Sequence, residues 1–78
     1  MTTFEKIKRV VEEVIGENID VKYDTKFESI GLNSIMFIRV VVALEEKFDI
    51  EFEDEYLDYE MYNTVTDFCA YVERLLNE

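Results

Sequence analysis

Apolar residues recur at intervals of three and four positions in three segments of this chain, a spacing typical of helices that bury one face. The first segment runs from Thr3 to Gly16, the second from Ser34 to about Phe48, and the third follows Thr64. Proline, which interrupts helices, is absent from all 78 residues. Hydrophobic residues make up 49% of the chain, enough to build a core. The spacing therefore predicts an all-α domain with three main helices.

Residues with helix-capping chemistry stand at the ends of these segments. Thr2 and Glu5 have the spacing of a capping box, in which each side chain accepts a hydrogen bond from the other residue's backbone N–H. Thr64 and Asp67 repeat this spacing before the third segment. Gly16 is suited to the left-handed conformation that closes a last helical turn. These residues predict where the first and third helices begin and where the first one ends.

The two connections between the helices differ in character. Residues 17–33 are polar with scattered apolar side chains, and we expect a long loop that the apolar side chains pin to the core. Residues 45–60 carry nine acids and one lysine, a local charge of −8, and we expect a short helix from about Glu53 to Tyr59. The predicted architecture is a right-handed bundle of three main helices plus one short helix, in a single domain covering residues 1–78.

The composition argues against several classes of function. Eight Lys and Arg against nineteen Asp and Glu give a net charge of −11, which a nucleic-acid backbone would repel. Histidine is absent and Cys69 is the only cysteine, so imidazole bases, zinc-finger spacings and internal disulfides are missing. Cys69 lies on a predicted buried stripe and is interpreted as an inert apolar residue. Without a long apolar run or a signal peptide, we expect a monomeric cytoplasmic protein with no nucleic-acid or membrane partner.

The acidic connection contains a spacing similar to that of a calcium-binding loop. Asp49, Glu51, Glu53 and Glu60 occupy positions 1, 3, 5 and 12 of such a loop. Position 6, where the loop needs glycine for its sharp turn, is Asp54. The carboxylates are therefore interpreted as a solvated acidic face, and no metal site is expected.

The second helix has two apolar sides. Its core face is predicted to hold Phe37, Val41, Leu44 and Phe48, flanked by Ile38 and Val40. The opposite stripe holds Ile35, Arg39, Val42 and Glu46. Half of this outer stripe is apolar, which in so small a protein indicates a surface that a partner covers. The competing interpretation is that Ile35, Met36 and Val42 pack on the long loop.

The start of the second helix contains a recognisable motif, Gly31-Leu32-Asn33-Ser34-Ile35. It resembles the attachment motif of the phosphopantetheine-binding carrier proteins, a family of acyl and peptidyl carriers. The resemblance continues through the flanking stretch from Phe27, the Ala43-Leu-Glu-Glu-Lys-Phe48 end of the helix, and Thr64-Val65. It covers almost the whole chain and implies an acyl-carrier-protein-like fold, with 4′-phosphopantetheine attached covalently to Ser34.

Ser34 and the preceding Asn33 also have a purely structural interpretation, because both residue types are favoured as helix caps. A phosphodiester at Ser34 would lie near unpaired backbone N–H groups and the positive end of the helix dipole, a favourable place for an anion. Capping and attachment are compatible with each other.

The resemblance implies a carrier and not an enzyme. A phosphopantetheinyl transferase would move the arm from coenzyme A to Ser34 with magnesium, and no residue of this chain is predicted to be catalytic. The thiol of the arm would hold acyl or aminoacyl groups as thioesters. An acyl- or aminoacyl-activating enzyme and downstream condensing or tailoring enzymes would be the further partners.

The second helix departs from the fatty-acid type of carrier, which usually presents acids along the first turns of this helix. The residues predicted to contact partners are Asn33, Ile35, Met36, Arg39, Val42, Glu45 and Glu46. Asn33 replaces a common aspartate, and Arg39 stands among apolar residues. This pattern favours a carrier of nonribosomal peptide or polyketide metabolism. Two alternatives stay open: a carrier of fatty-acid synthesis, and a helical interaction module that binds no cofactor and uses the outer stripe.

Overall fold

Three α-helices form the framework of the molecule. The structure, a computed structural model, describes residues 2–77. Helix α1 spans Thr3–Ile15, α2 spans Ser34–Phe48 and α3 spans Val65–Leu76. Short 3₁₀ turns occupy Phe27–Ile30, Asp54–Tyr56 and Tyr59–Met61. No strand occurs within the described residues. The predicted all-α class and the three main helices are confirmed, and α1 packs against both α2 and α3.

The capping box predicted for α1 is confirmed. The Glu5 N–H donates to the Thr2 hydroxyl at 3.1 Å, and the Thr2 N–H donates to the Glu5 carboxylate at 3.3 Å. The hydrogen bonds from the Thr2 backbone and hydroxyl lower the pKa of the Glu5 carboxyl. At the other end, Gly16 has a φ of 89° and its N–H donates to the Glu12 carbonyl at 2.8 Å. Both ends of α1 are therefore fixed by local sequence.

The capping box predicted for α3 is wrong, because the side chains of Thr64 and Asp67 do not form the predicted hydrogen bonds. Thr64 precedes the helix, but its side chain makes no capping hydrogen bond. The Asp67 carboxylate accepts from the N–H of Asn63, at 3.1 Å, instead of from that of Thr64. Thr64 thus marks the right boundary, while the groups that satisfy the start of the helix come from elsewhere in the chain.

The first N–H groups of α3 are bound by the long loop between α1 and α2. The Val65 N–H donates to the Thr25 carbonyl and the Thr66 N–H to the Tyr23 carbonyl, both at 2.9 Å. The Thr66 hydroxyl donates to the same Tyr23 carbonyl at 2.6 Å. These bonds satisfy helix N–H groups that have no partner inside the helix, and they tie the loop to α3.

The predicted long loop of residues 17–33 is confirmed, and its apolar side chains attach it to the core as expected. The loop also contains one 3₁₀ turn. Its buried side chains are those of Val21, Phe27 and Leu32, as expected of a loop pinned to the core. The 3₁₀ turn at Phe27–Ile30 ends at Gly31, whose φ is 79°. A residue with a side chain would be strained in this conformation.

In place of the one short helix predicted from about Glu53 to Tyr59, the structure has two separate 3₁₀ turns, of which Asp54–Tyr56 lies within the predicted range. Two tyrosines of the core form hydrogen bonds with the backbone of this region. The Glu53 N–H donates to the Tyr71 hydroxyl at 3.3 Å, and the Tyr62 hydroxyl donates to the Tyr56 carbonyl at 2.8 Å. A continuous helix would also stack like charges at intervals of three and four residues, which is destabilising.

Five aromatic rings, which we call the aromatic cluster, fill the centre of the core. The cluster consists of Phe27, Phe37, Phe52, Tyr62 and Phe68. Phe68 touches each of the other four rings, with centroid separations of 5.1 to 5.7 Å. Helical periodicity overestimated the core at its margins, because Ile38 and Leu76 are 39% and 41% exposed.

The acidic connection should make the stability of the fold dependent on salt. The exposed ion pairs of Lys22 with Asp20 and of Lys47 with Glu13 involve no acid of residues 45–60. Screening of the repulsion within this segment should raise Tm by roughly 5 °C between 10 mM and 1 M NaCl, as measured by circular dichroism. A triple variant that neutralises the exposed Glu51, Asp54 and Glu55 should respond less. A flat or falling Tm in the unmodified protein would contradict the expectation.

Candidate functional site

Ser34 is the first residue of α2, and Asn33 caps this helix as predicted. The Met36 N–H donates to the Asn33 side-chain oxygen at 2.9 Å, and the Phe37 N–H donates to the Asn33 carbonyl at 2.8 Å. Asn33 therefore completes the first turn without using any atom of the Ser34 side chain. The serine is exposed and needs no change of conformation to be reached.

The hydroxyl and the N–H groups next to it are available to a ligand. Within residues 2–77, the Ser34 hydroxyl has no hydrogen-bond partner, and neither do the backbone N–H groups of Ser34 and Ile35. Such N–H groups, with the positive end of the helix dipole, favour an anion at this position. A phosphodiester on the Ser34 oxygen is therefore compatible with the local chemistry.

The segment before Ser34 holds the serine in place. Leu32 is buried, and its N–H donates to the Phe27 carbonyl at 3.2 Å. Gly31 provides the left-handed residue that turns the chain from the 3₁₀ turn into α2. The motif found in the sequence thus combines a turn, a buried anchor, a cap and an exposed hydroxyl in successive residues.

The outer stripe of α2 faces solvent. Ile35 is 70% exposed and Val42 is 46% exposed, while Arg39 and Glu46 are exposed between and beyond them. The interpretation that Ile35 and Val42 pack on the long loop is therefore wrong. Met36 is half-buried against the core.

Sequence reasoning missed that Ile38 belongs to this surface and that Glu45 has a structural role. Ile38, assigned to the margin of the core, is exposed and lies one turn from both Ile35 and Val42, so the apolar surface is wider than predicted. Glu45, predicted to contact partners, is half-buried, and its carboxylate accepts from the Phe52 N–H at 2.9 Å. Through this hydrogen bond Glu45 connects the last turns of α2 to the backbone at Phe52. No local sequence signal identifies this contact.

An open groove of about 380 Å³ lies between the first and the third 3₁₀ turn. We call it the Tyr59 groove. Its walls are formed by Lys26, Phe27, Glu28, Tyr59, Glu60, Met61, Tyr62, Asn63 and Asp67. Since Phe27 and Tyr62 belong to the aromatic cluster, the groove borders this cluster. Sequence reasoning did not identify this groove.

Other kinds of site find little support in the described part of the chain. Over residues 2–77, no three acidic or cysteine side chains are grouped so that they could hold a metal ion. Burial, followed by the nearby Glu73 carboxylate, raises the pKa of the Cys69 thiol to about 11. This thiol is buried and protonated at neutral pH, as expected of an apolar core residue. No helix in residues 2–77 combines the length and apolarity of a membrane span.

Comparison with known proteins agrees with the geometry at Ser34. The family described as "Phosphopantetheine attachment site" matches residues 5–72. Among similar proteins, the acyl carrier protein of Wolinella succinogenes is 43% identical over 75 residues, covering 94% of this chain and 96% of that protein. The acyl carrier protein of Streptococcus thermophilus is 36% identical over 74 residues, covering 94% and 95%.

The acyl carrier protein of Sulfurovum sp. is 40% identical over 77 residues, which cover 96% of this chain and 100% of that protein. In each of these comparisons the similarity covers at least 94% of this chain and at least 95% of the relative. This chain belongs to the phosphopantetheine-binding carrier protein family, whose members are carriers with a covalently attached 4′-phosphopantetheine.

Proposed function

We propose that Ser34 is the attachment residue, and that the chain carries acyl groups as thioesters on the thiol of the arm. The observation that supports this proposal is the exposed, uncommitted Ser34 hydroxyl at the start of α2, inside the matched region 5–72. The only other serine is Ser29. The Ser29 hydroxyl donates to the Lys26 carbonyl at 2.7 Å. Ser29 lies within a 3₁₀ turn and not at the start of an α-helix.

The attachment reaction needs a base that this chain does not provide. The Ser34 oxygen forms a bond to the β-phosphorus of coenzyme A, the pyrophosphate P–O bond breaks, and adenosine 3′,5′-bisphosphate leaves. The hydroxyl proton passes to a base of the phosphopantetheinyl transferase, because histidine is absent here and Cys69 is buried. Ser34 therefore contributes position and access, and the first turn of α2 carries no acid that would repel the anionic product.

We infer an acyl carrier of the fatty-acid type in preference to a carrier of peptide or polyketide metabolism. The relatives, at 36 to 43% identity, are named acyl carrier proteins, which supports the alternative and not the first preference of the sequence analysis. That preference relied on Asn33 and Arg39. Asn33 caps α2 and Arg39 is exposed on the outer stripe, so these two residues describe a surface of the helix and do not identify the cargo.

Mass spectrometry tests the attachment directly. Incubation with coenzyme A, Mg²⁺ and a broad-specificity transferase should add one phosphopantetheine group per chain. Cleavage by trypsin after Lys26 and Arg39 gives a peptide that contains both serines, so fragment ions must separate Ser29 from Ser34. An unchanged mass would favour the helical interaction module that binds no cofactor.

We further propose that partner enzymes contact the exposed side of α2. Of the residues predicted to contact partners, Asn33, Ile35, Arg39, Val42 and Glu46 are exposed on this side, and the exposed Ile38 is added to them. The predicted contacts Met36 and Glu45 are half-buried, and Glu45 binds the Phe52 N–H. Arg39 is the only cation between Lys26 and Lys47, and it lies among exposed apolar side chains. A surface of this kind fits a partner that offers apolar contact and a carboxylate.

Charge reversal at Arg39 should impair loading by the cognate enzyme without harming the fold. We expect Arg39→Glu to lower the kcat/KM of loading by roughly tenfold or more and to change the free energy of unfolding by less than about 1 kcal/mol. Arg9→Glu makes the same charge change at an exposed position of α1 and is the matched control. Truncation of Val42 to alanine should weaken the same step. Equal loading of the two charge variants would contradict the proposed surface.

A further inference from the structure

A cleft with an unusual lining lies between α1 and the end of α2. It is open, has a volume of about 290 Å³, and is formed by Lys6, Arg9, Lys47 and Phe48. Three of the eight cations of the chain therefore meet in one place, which we call the cationic cleft. Among the described residues no acid belongs to its lining, although the chain has nineteen acids. The cleft thus has a charge opposite to that of the chain as a whole, which favours an anion there.

The fold engages the cations of the cleft only weakly. The Lys47 ammonium lies 3.8 Å from the Glu13 carboxylate, and both side chains are exposed. Such a pair contributes less than about 1 kcal/mol, so a carboxylate of a ligand can replace that of Glu13. Over residues 2–77, Lys6 and Arg9 make no ion pair within 4.0 Å. Two of the three positive charges are therefore available to a ligand, and the third is available by exchange.

Phe48 gives the cationic cleft an apolar wall. The Lys6 ammonium lies 5.4 Å from the centroid of the Phe48 ring, within the range of a cation–π contact. Phe48 is half-buried, so part of its ring faces solvent. A ligand that matches this lining combines negative charges with an apolar group. A peptide with carboxylates on both sides of an aromatic or aliphatic residue has this chemistry.

The cationic cleft and Ser34 lie at opposite ends of α2. Lys47 follows Ser34 by 13 positions in the same helix, which corresponds to about 20 Å at 1.5 Å per residue. The lining of the cleft also shares no residue with the outer stripe. A segment bound in the cleft would therefore leave the Ser34 hydroxyl and the outer stripe uncovered.

The surroundings of the cleft restrict what can bind there. Residues 45–60, which include the wall at Phe48, carry a local charge of −8. A broad polyanionic surface such as a membrane would be repelled by these carboxylates, whereas a narrow peptide segment needs to contact only the cleft. At physiological salt, charges more than about 8 Å apart are largely screened. The cations that touch the segment therefore outweigh the acids further away.

We propose that the cationic cleft binds an acidic segment of a partner protein, with carboxylates on Lys6 and Arg9 and an apolar side chain against Phe48. This surface is additional to the outer stripe of α2. It would hold the carrier on a partner while another enzyme acts at Ser34. The inference does not depend on attachment at Ser34, so its test uses the unmodified protein.

Titration with a synthetic peptide tests the inference. The probe is the acetylated peptide DEEFEDL, and its control is NQQFQNL, in which every acid is replaced by its amide. In ¹⁵N spectra, DEEFEDL should shift the amides of Lys6, Arg9, Lys47 and Phe48 with a Kd of about 1 mM or lower. The amide of Val42 on the outer stripe should not move. The Kd should rise at least about tenfold between about 50 mM and about 500 mM NaCl.

Three results would overturn the inference. The first is the absence of shifts at the cleft with DEEFEDL at low salt. The second is equal binding of DEEFEDL and NQQFQNL, which would mean that the carboxylates are not recognised. The third is sedimentation with vesicles of anionic phosphatidylglycerol in the absence of peptide binding, which would assign the cleft to a lipid surface.

A matched pair of variants locates the peptide. Lys6→Glu and Lys26→Glu make the same charge change at exposed lysines, but only Lys6 lines the cationic cleft. Lys6→Glu should raise the Kd of DEEFEDL at least about tenfold, and Lys26→Glu should leave it within about twofold. Equal Kd values would overturn the inference, because net charge alone would then govern binding. If Lys6→Glu does not fold, the comparison of DEEFEDL with NQQFQNL on the unmodified protein decides the question.

Arg9→Glu separates the cleft from the loading surface. Arg9 lines the cleft, so this variant should also bind DEEFEDL at least about tenfold more weakly. Loading at Ser34 is proposed to depend on the outer stripe, which contains Arg39 and not Arg9. Loss of peptide binding by Arg9→Glu and loss of loading by Arg39→Glu would show two independent surfaces. Undiminished peptide binding by Arg9→Glu would contradict the cleft as the site.

Discussion

Replacement of Ser34 by alanine should abolish attachment of phosphopantetheine and leave the fold almost unchanged. The exposed hydroxyl makes no hydrogen bond within residues 2–77, and the Asn33 side chain still accepts the Met36 N–H. Alanine also has the highest helix propensity. We expect no added mass after treatment with transferase, and a change in the free energy of unfolding within about 0.5 kcal/mol.

Ser29→Ala is the matched control for this variant. It removes the other serine hydroxyl of the chain, whose bond to the Lys26 carbonyl is local and exposed. This variant should be modified as completely as the unmodified protein. Added mass on Ser34→Ala, together with its loss on Ser29→Ala, would move the attachment residue to the 3₁₀ turn and refute the assignment.

Truncation of Phe68 to alanine should have the largest effect on stability. Phe68 is fully buried, and its ring contacts those of Phe27, Phe37, Phe52 and Tyr62. Loss of a buried Phe side chain costs about 3–5 kcal/mol, a large share of the roughly 5–15 kcal/mol that stabilises a typical domain. Urea unfolding followed by circular dichroism measures this difference.

Leu76→Ala provides the comparison on the same helix. Leu76 is 41% exposed at the end of α3, so its truncation should cost less than about 1 kcal/mol. Similar free energies of unfolding for the two variants would mean that Phe68 is not the centre of the core.

Features fixed by neighbouring residues could be predicted from the sequence. The first helix depends on Thr2, Glu5 and Gly16, whose capping bonds span three or four positions. The start of α2 depends on Asn33 in the same way. Ser34 was identified because its motif is a contiguous stretch, and the exposure of the outer stripe followed from helical periodicity.

Features that depend on distant residues could not be predicted. The start of α3 is bound by carbonyls of the long loop, and the Glu45 carboxylate reaches Phe52. The Glu53 N–H of the acidic connection donates to the hydroxyl of Tyr71, which lies 18 residues further along the chain. The Tyr59 groove arises where two turns distant in sequence meet, so no local pattern marks it.

The bonds between the long loop and α3 also have a consequence for folding order and local opening. Residues 43 positions apart meet where the Thr66 hydroxyl donates to Tyr23, so the first turn of α3 is secured only after this long stretch of chain has closed on itself. Detachment of the loop would leave the Val65 and Thr66 amides without acceptors and open to hydrogen exchange with solvent. Because the same loop leads into Ser34 at the start of α2, exchange at these two amides measures how often the loop that precedes Ser34 separates from α3.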